Sequence, residues 1–258
     1  MADEAIVITG AAAGIGRAVA LTCAEQGASV AVLDRDGDGA AAVAAEAREK
    51  GAKSAVDLAC DVSSEEDVKV AFTTAVGALG PLSGLVCNAG IDRGGMAHEL
   101  ATETWRQVIA TNLEGVYLCC KHGLRAFLEE DQGGSIVCVS SPLAFRGFSG
   151  GTTAYSASKG GVSALVRSLA IDYAPYGVRV NAVVPGATET TLMWANVPES
   201  DVDRTREVVR SEVPLGRLAV PEEPARAAVW LLSRDASYVT GSHLVCDGGV
   251  LAKGALSA

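Results

Sequence analysis

At 258 residues, with 49% hydrophobic and only 20% charged side chains, the chain is long enough to bury one core and reads as a single globular domain spanning 1–258, not as a disordered chain. A net charge of −10 excludes the basic patch that nucleic acid or an anionic membrane surface requires, so no nucleic acid and no membrane are expected as partners. The first residues lack the basic stretch and apolar run of a signal peptide, and no apolar segment reaches the roughly 18 residues of a spanning helix, so a cytoplasmic location is expected.

In chain order, Ala5–Thr9 is a short β-branched apolar run, followed at once by Gly10-Ala-Ala-Ala-Gly14-Ile-Gly16 and an apolar helical pattern from Arg17. Strand, glycine turn and helix in this order suit a dinucleotide phosphate, because glycines admit the backbone closely and the helix N-terminus offers free N–H groups. The spacing is GxxxGxG rather than GxGxxG. The strand 28–33 ends on Asp34, where about 20 residues past the glycines a ribose-binding acid is expected. A carboxylate there accepts the adenosine 2′-hydroxyl and repels a 2′-phosphate, which favours NAD over NADP. Arg35 tempers that preference, and Asp34 also reads as a loop residue or a helix N-cap.

Strands and helices then alternate: helix 39–50, strand 54–59, helix 64–79, strand 84–87 running into Asn88-Ala-Gly90, helix 103–129 in two segments around Asn112, and strand 135–140. Residues 152–174 form one helix, because Val162, Leu165, Val166, Leu169 and Ala170 repeat with helical spacing and Pro175 and Gly177 end the pattern. Strand 178–184, an irregular stretch over 186–212, helix 221–233 and strand 243–246 complete the chain. Continuous Val/Ile/Leu strands separated by helices predict an α/β fold, a Rossmann-like doubly wound parallel sheet with helices on both faces. Ligands in such sheets bind at the carboxyl ends of the strands, where Asp34, Asp61, Asn88, Ser140, Ser141 and Pro185 lie. The 186–212 stretch, with Leu192, Met193 and Trp194 followed by charged residues, reads as a substrate lid, the alternative being a surface helix with one buried side.

Tyr155 and Lys159 stand at i and i+4 on the 152–174 helix, with side chains on one face. A tyrosine near its ordinary pKa of about 10 is a poor base, but a neighbouring ammonium lowers that value. The pair is therefore a candidate for moving a proton to or from an alcohol oxygen. None of the seven cysteines lies in a CxxC, and Cys87, Cys119, Cys120 and Cys138 sit in apolar segments as small hydrophobes. His98, His122 and His243 are scattered, so neither disulfides nor a metal site is expected.

Together, Thr9–Gly16, Asp61-Val62, Asn88-Ala-Gly90, Asn112, the serine before the helix, Tyr155-Ser-Ala-Ser-Lys159, Asn181, Pro185-Gly186 and Asp247-Gly-Gly249 resemble the short-chain dehydrogenase/reductase family over about residues 4–251. The resemblance implies that Tyr155 is the acid/base and that Lys159 holds the nicotinamide ribose and depresses the tyrosine pKa. Ser141 would bond the substrate oxygen, and Asn112 would hold a water linking Lys159 to solvent. It also implies cofactor contacts from Gly10, Gly14, Ile15, Gly16, Asp34, Asp61, Val62, Asn88, Gly90, Pro185, Gly186, Thr188 and Thr190, with Thr190 at the carboxamide, and a homotetramer built through helices 103–129 and 152–174 and the C-terminal strand.

Two departures from the family pattern stand out. The Ser141-to-Tyr155 stretch is one residue longer than the commonest spacing, so strict counting lands on Pro142; Ser141 is preferred, with Ser140 as fallback. Cys87 replaces the asparagine often found before Asn88. The expected activity is NAD-dependent interconversion of a secondary alcohol and a ketone, the partner being a small, mainly apolar alcohol or ketone. Candidate pocket residues are 92–96, 143–148 and 187–194, with Arg93 and Arg146 admitting a carboxylated substrate. The alternatives are a 3-oxoacyl thioester (acyl carrier protein) reductase and a non-catalytic NAD-binding protein.

Overall fold

The computed structural model describes residues 1–254; the last four positions of the expected 1–258 domain lie outside the described residues. Seven strands, β1 (Ala5–Thr9), β2 (Ser29–Asp34), β3 (Ala55–Ala59), β4 (Gly84–Cys87), β5 (Gly134–Val139), β6 (Val178–Pro185) and β7 (His243–Cys246), form one parallel sheet in the order β3-β2-β1-β4-β5-β6-β7. The order reverses between β1 and β4, which opens a crevice at the strand ends there.

Period-2 alternation sends successive side chains to opposite faces, and both faces are buried. Val7, Leu85, Ile136 and Val180 face one side with Val162, Val166 and Ala170 of helix α6 (Thr153–Tyr173). Ile6, Ile8, Val30, Val86 and Val137 face the other, against α1 (Gly14–Glu25), α2 (Gly37–Glu49) and α9 (Glu222–Leu232). Ile136 is fully buried, so truncating it to alanine would cost about 2–5 kcal/mol. Arg179 on β6 donates to the carbonyls of Leu231, Leu232 and Ser233, which satisfies the C-terminus of α9.

The helix starts follow capping chemistry. Ser64 accepts from the Asp67 N–H at 3.3 Å to open α3 (Glu65–Leu79), whose first turn carries Glu65, Glu66 and Asp67. Asp36 accepts from the Gly39 N–H at 3.0 Å and is the N-cap of α2, the role that Asp34 was open to from sequence. Helix α1, by contrast, starts at Ala13 with no side-chain cap. The predicted break at Asn112 is a single π-helical turn, Ala110–Glu114, joining α4 (Thr102–Ile109) to α5 (Gly115–Glu129).

The 186–212 stretch is more regular than expected, containing α7 (Thr191–Trp194) and α8 (Val202–Glu212), and α8 has no buried residue. Glu189 ties the two together: it accepts from Trp194 Nε1 at 3.1 Å and from Arg206 Nε at 2.9 Å, and the guanidinium lies 5.0 Å from the Trp194 ring. Among the described residues, no helix is long and apolar enough to cross a membrane.

Candidate active site

A cleft of about 260 Å³ opens at the carboxyl ends of β1 to β4, lined by residues that include Gly10, Gly14, Ile15, Asp34, Asp61, Val62, Asn88, Gly90 and Thr190. Its floor is the uncapped start of α1, whose first N–H groups are left to meet a ligand. Gly10 has φ +63°, and a Cβ on Gly16 would run into the Gly10 carbonyl and the Asn88 amide. Gly16 is therefore a packing residue behind the turn. Asn88 stitches the two strand ends, donating from Nδ2 to the carbonyls of Thr9 at 3.0 Å and Gly10 at 2.8 Å.

Asp34 caps no helix; its carboxylate accepts from the Ala12 N–H and the Asp36 N–H, each at 3.0 Å, and is held facing the cleft. Asp61 accepts from the Ser63 hydroxyl at 2.7 Å and the Ser63 N–H at 2.9 Å, which hold its carboxyl below the ordinary range. Thr190 lines the opposite wall and caps α7. Pro185, Gly186 and Thr188 do not line the cleft: Gly186 pairs with the Cys246 carbonyl at 2.9 Å, and the buried Thr188 hydroxyl donates to the Gly186 carbonyl at 3.0 Å. These three shape the wall behind Thr190. Arg35, Cys60, Thr111 and Leu192 also line it; Cys60 and Thr111 directly precede Asp61 and Asn112, the signal that would have found them.

Free N–H groups of a helix start, a glycine turn and a carboxylate fixed at the tip of β2 fit a dinucleotide.

The second part of the site adjoins Gly90. Lys159 is buried, and its Nζ donates to the Val139 carbonyl at 2.8 Å. A Cβ on Gly90 would sit 3.7 Å from Lys159 Nζ and 3.3 Å from Asn112 Oδ1, so Gly90, Asn112 and Lys159 meet at one point. The Asn112 side chain is fully engaged, accepting from the Ile91 N–H and donating to the Ile91 carbonyl at 2.8 Å each, with a further contact to the Ser158 hydroxyl at 3.3 Å.

The two serines differ. Ser140 points into the core, its hydroxyl 2.8 Å from that of Ser163 on α6. Ser141 accepts the Leu143 N–H at 3.3 Å, and its hydroxyl is near enough to the Tyr155 phenol to oppose in part the rise that burial and Asp92 impose on that group. Ser141 therefore stands beside the tyrosine, and Pro142 opens the following 3₁₀ turn.

The expected depression of the Tyr155 pKa by Lys159 is not what the structure has. Burial and the nearby Asp92 carboxylate raise the phenol above its ordinary value. Burial also lowers Lys159 to about 8. The ammonium lies 5.5 Å from the ring centroid, over the face rather than at the hydroxyl, and is directed to the Val139 carbonyl. As placed, Tyr155 holds its proton through the neutral range.

Of the expected pocket residues, Phe145 turns away to pack edge-on against His243, with ring centroids 5.4 Å apart. Arg146 donates to the Val250 carbonyl at 3.3 Å and so secures the C-terminal turn, while Arg93 is exposed. Neither arginine is built into a carboxylate site. One grouping was invisible to spacing along the chain: the thiols of Cys87 on β4, Cys120 on α5 and Cys138 on β5 lie within 4.8 Å of one another, all buried in the core.

A family model described as enoyl-(acyl carrier protein) reductase matches residues 10–251. The chain is 43% identical over 252 residues to a cis-4-hydroxycyclohexanecarboxylate dehydrogenase of Sinomonas cyclohexanicum, covering 97% of this chain and 98% of the relative. It is 39% identical over 255 residues to a 2,5-dichloro-2,5-cyclohexadiene-1,4-diol dehydrogenase of Sphingobium indicum, covering 98% of each. Among solved structures, it resembles levodione reductase with a TM-score of 0.92 and 31% identity over 98% of this chain and 100% of that one. A short-chain type dehydrogenase/reductase from Mycobacterium marinum gives a TM-score of 0.90 and 34% identity over 96% and 95%. The full-length match in sequence, the seven-stranded sheet and the Tyr155/Lys159 helix converge: this chain belongs to the short-chain dehydrogenase/reductase family of oxidoreductases.

Proposed function

We propose that the protein is an NAD-dependent dehydrogenase/reductase that interconverts a secondary alcohol on a small, mainly apolar ring and the corresponding ketone. The observation that carries this reading is the meeting of Ser141, Tyr155 and Lys159 beside Gly90, at the inner end of a cleft suited to a dinucleotide. Family membership implies a nicotinamide cofactor, and the 2′-side carboxylate of Asp34 supports NAD over NADP. When bound, that cofactor accepts or donates the hydride at its nicotinamide ring.

The chain supplies the proton. In reduction, the carbonyl carbon gains a hydride and its oxygen takes the Tyr155 phenolic proton; in oxidation, the alcohol returns that proton while its carbon gives up the hydride. Ser141 orients the substrate oxygen by a hydrogen bond, and Lys159, fixed by Val139, stands over the Tyr155 ring to bind the ribose. Asn112 positions the Ile91 peptide beside them. The 186–212 segment closes over the substrate, with Asn196 reaching the Asp92 main-chain carbonyl at 3.2 Å.

Two of the relatives support the ring, each named for a six-membered carbocycle bearing a hydroxyl. Their second polar group differs, a carboxylate in one and a hydroxyl in the other. A thioester substrate on an acyl carrier protein has less support, because a surface with net charge −10 repels an acidic carrier. The test is the change in NADH absorbance over a panel of cyclic secondary alcohols and ketones, with NAD and NADP in parallel. Turnover is expected with NAD, and cofactor binding without turnover of any member would refute the reading.

A further inference from the structure

Asp92 follows Ile91, one of the residues lining the cleft, and is half-buried. Its Oδ1 is shut off from solvent and has no hydrogen-bond partner among the described residues. Buried carboxylate oxygens are almost always paired, so an orphan calls for a donor from elsewhere. The side chain does not hang from a loose loop. Asn112 clamps Ile91 on one side, the Gly95 N–H donates to the Gly151 carbonyl at 2.9 Å on the other, and Asn196 holds the Asp92 carbonyl. The carboxylate also stands close enough to the reacting corner to add to the rise that burial imposes on Tyr155 and to oppose the fall that burial imposes on Lys159.

We propose that Asp92 is a specificity-determining residue that receives a second hydroxyl of the substrate, so that the enzyme acts on a cyclic diol or hydroxyketone in preference to a simple alcohol. The inference rests on the alcohol/ketone reading above. A hydroxyl is the donor that the surroundings favour. A substrate carboxylate would bring a second charge into a setting where burial already disfavours one, and when ionised it has no proton to offer the unpaired oxygen. An ammonium would sit beside the buried ammonium of Lys159. A hydroxyl is neutral and pairs with the carboxyl oxygen without a charge clash, which suits a site where burial raises the Asp92 pKa and disfavours charge. A ring lacking that hydroxyl leaves the oxygen buried and unpaired, which is how sites built for a substrate hydroxyl reject its deoxy analogue.

The test is kcat/KM of the NAD-loaded enzyme for cyclohexanol and for the 1,2- and 1,4-cyclohexanediols, in wild type and in Asp92→Ala, Asp92→Leu and Asp92→Asn. The wild type is expected to favour its best diol by about 100-fold or more. That ratio should collapse towards one in Asp92→Ala and in Asp92→Leu, which fills the volume should the alanine variant misfold. Asp92→Asn, which keeps an acceptor oxygen, should retain part of it. A wild-type ratio near one, a ratio that survives both Ala and Leu, or a stronger preference for 2-aminocyclohexanol would overturn the assignment. If no alcohol or ketone is turned over, the alcohol/ketone reading has failed, and calorimetric binding of the same compounds to the NADH-loaded proteins decides for Asp92. Tighter diol binding lost in Asp92→Ala would sustain its role, and equal binding would overturn it.

Discussion

The side-chain amide of Asn112 replaces a neighbouring strand for the peptide of Ile91, accepting its N–H and donating to its C=O, both at 2.8 Å. The π turn at Ala110–Glu114 aims that fully buried amide at the loop after β4. Asn112 is thus a positioning residue, fixing the Gly90–Asp92 backbone against Lys159 and Tyr155. Asn112→Ala would leave both groups of the Ile91 peptide unpaired, at a cost of about 2–4 kcal/mol. Urea unfolding should report that loss, and amide exchange at Ile91 should accelerate more than exchange in β1.

Replacing the phenol leaves the fold and the cleft intact. Tyr155→Phe should lower turnover by about 10³-fold or more while NADH binding, followed by fluorescence, changes little. Ser141→Ala should also lose turnover, whereas Ser140→Ala, whose hydroxyl bonds Ser163 in the core, should lower stability and spare kcat. Retained turnover in Tyr155→Phe would contradict the acid/base role.

Asp34→Asn removes the charge at the tip of β2 while keeping its shape. The ratio of kcat/KM with NAD to that with NADP should fall about tenfold or more, because a carboxylate no longer opposes the 2′-phosphate and Arg35 is at hand. Parallel assays with the two cofactors check this, and an unchanged ratio would assign Asp34 solely to its bonds with the N–H groups of Ala12 and Asp36.

Lys159 makes stability depend on alkaline pH in a direction that burial dictates. Its folded pKa is lowered to about 8, against about 10.4 in an unfolded chain. Between these values the unfolded chain binds a proton that the folded protein has released, so stability rises with pH across the window. Below about 8 both states are protonated and the contribution is flat. Relative to Lys159→Met, the wild type should therefore gain in urea midpoint as pH is raised through this range. A difference that does not vary with pH would show that the ammonium is not held in a low-dielectric setting.

The helices implied in tetramer assembly carry Trp105, Tyr117, Leu128 and Ile171 on the surface of the single chain, with Ile171 75% exposed. Sedimentation velocity should give a tetramer, and Ile171→Asp should weaken it. A monodisperse monomer at micromolar concentration would rule this assembly out.

The order of elements was legible in the sequence because it depends on short-range rules. The continuous β-branched apolar run Ala5–Thr9 and the helical spacing over Val162–Ala170 each fix one element, and Pro175 and Gly177 stop α6 where expected. The Tyr155/Lys159 pair was legible for the same reason, since i and i+4 share a helix face in any fold. What depends on distant partners was not. Whether Ser140 or Ser141 faces the tyrosine is decided by Ser163, 23 positions from Ser140 along the chain, which draws the Ser140 hydroxyl into the core. The Tyr155 pKa rises rather than falls because tertiary packing buries the phenol, brings Asp92 near and gives Lys159 a carbonyl to bind. Likewise Cys87, Cys120 and Cys138 become neighbours only when β4, β5 and α5 pack. Local sterics and the burial of one face set the elements, whereas the charge and hydrogen-bond state of a side chain is set by whichever groups the folded chain brings within a few ångströms of it, and these are remote in sequence.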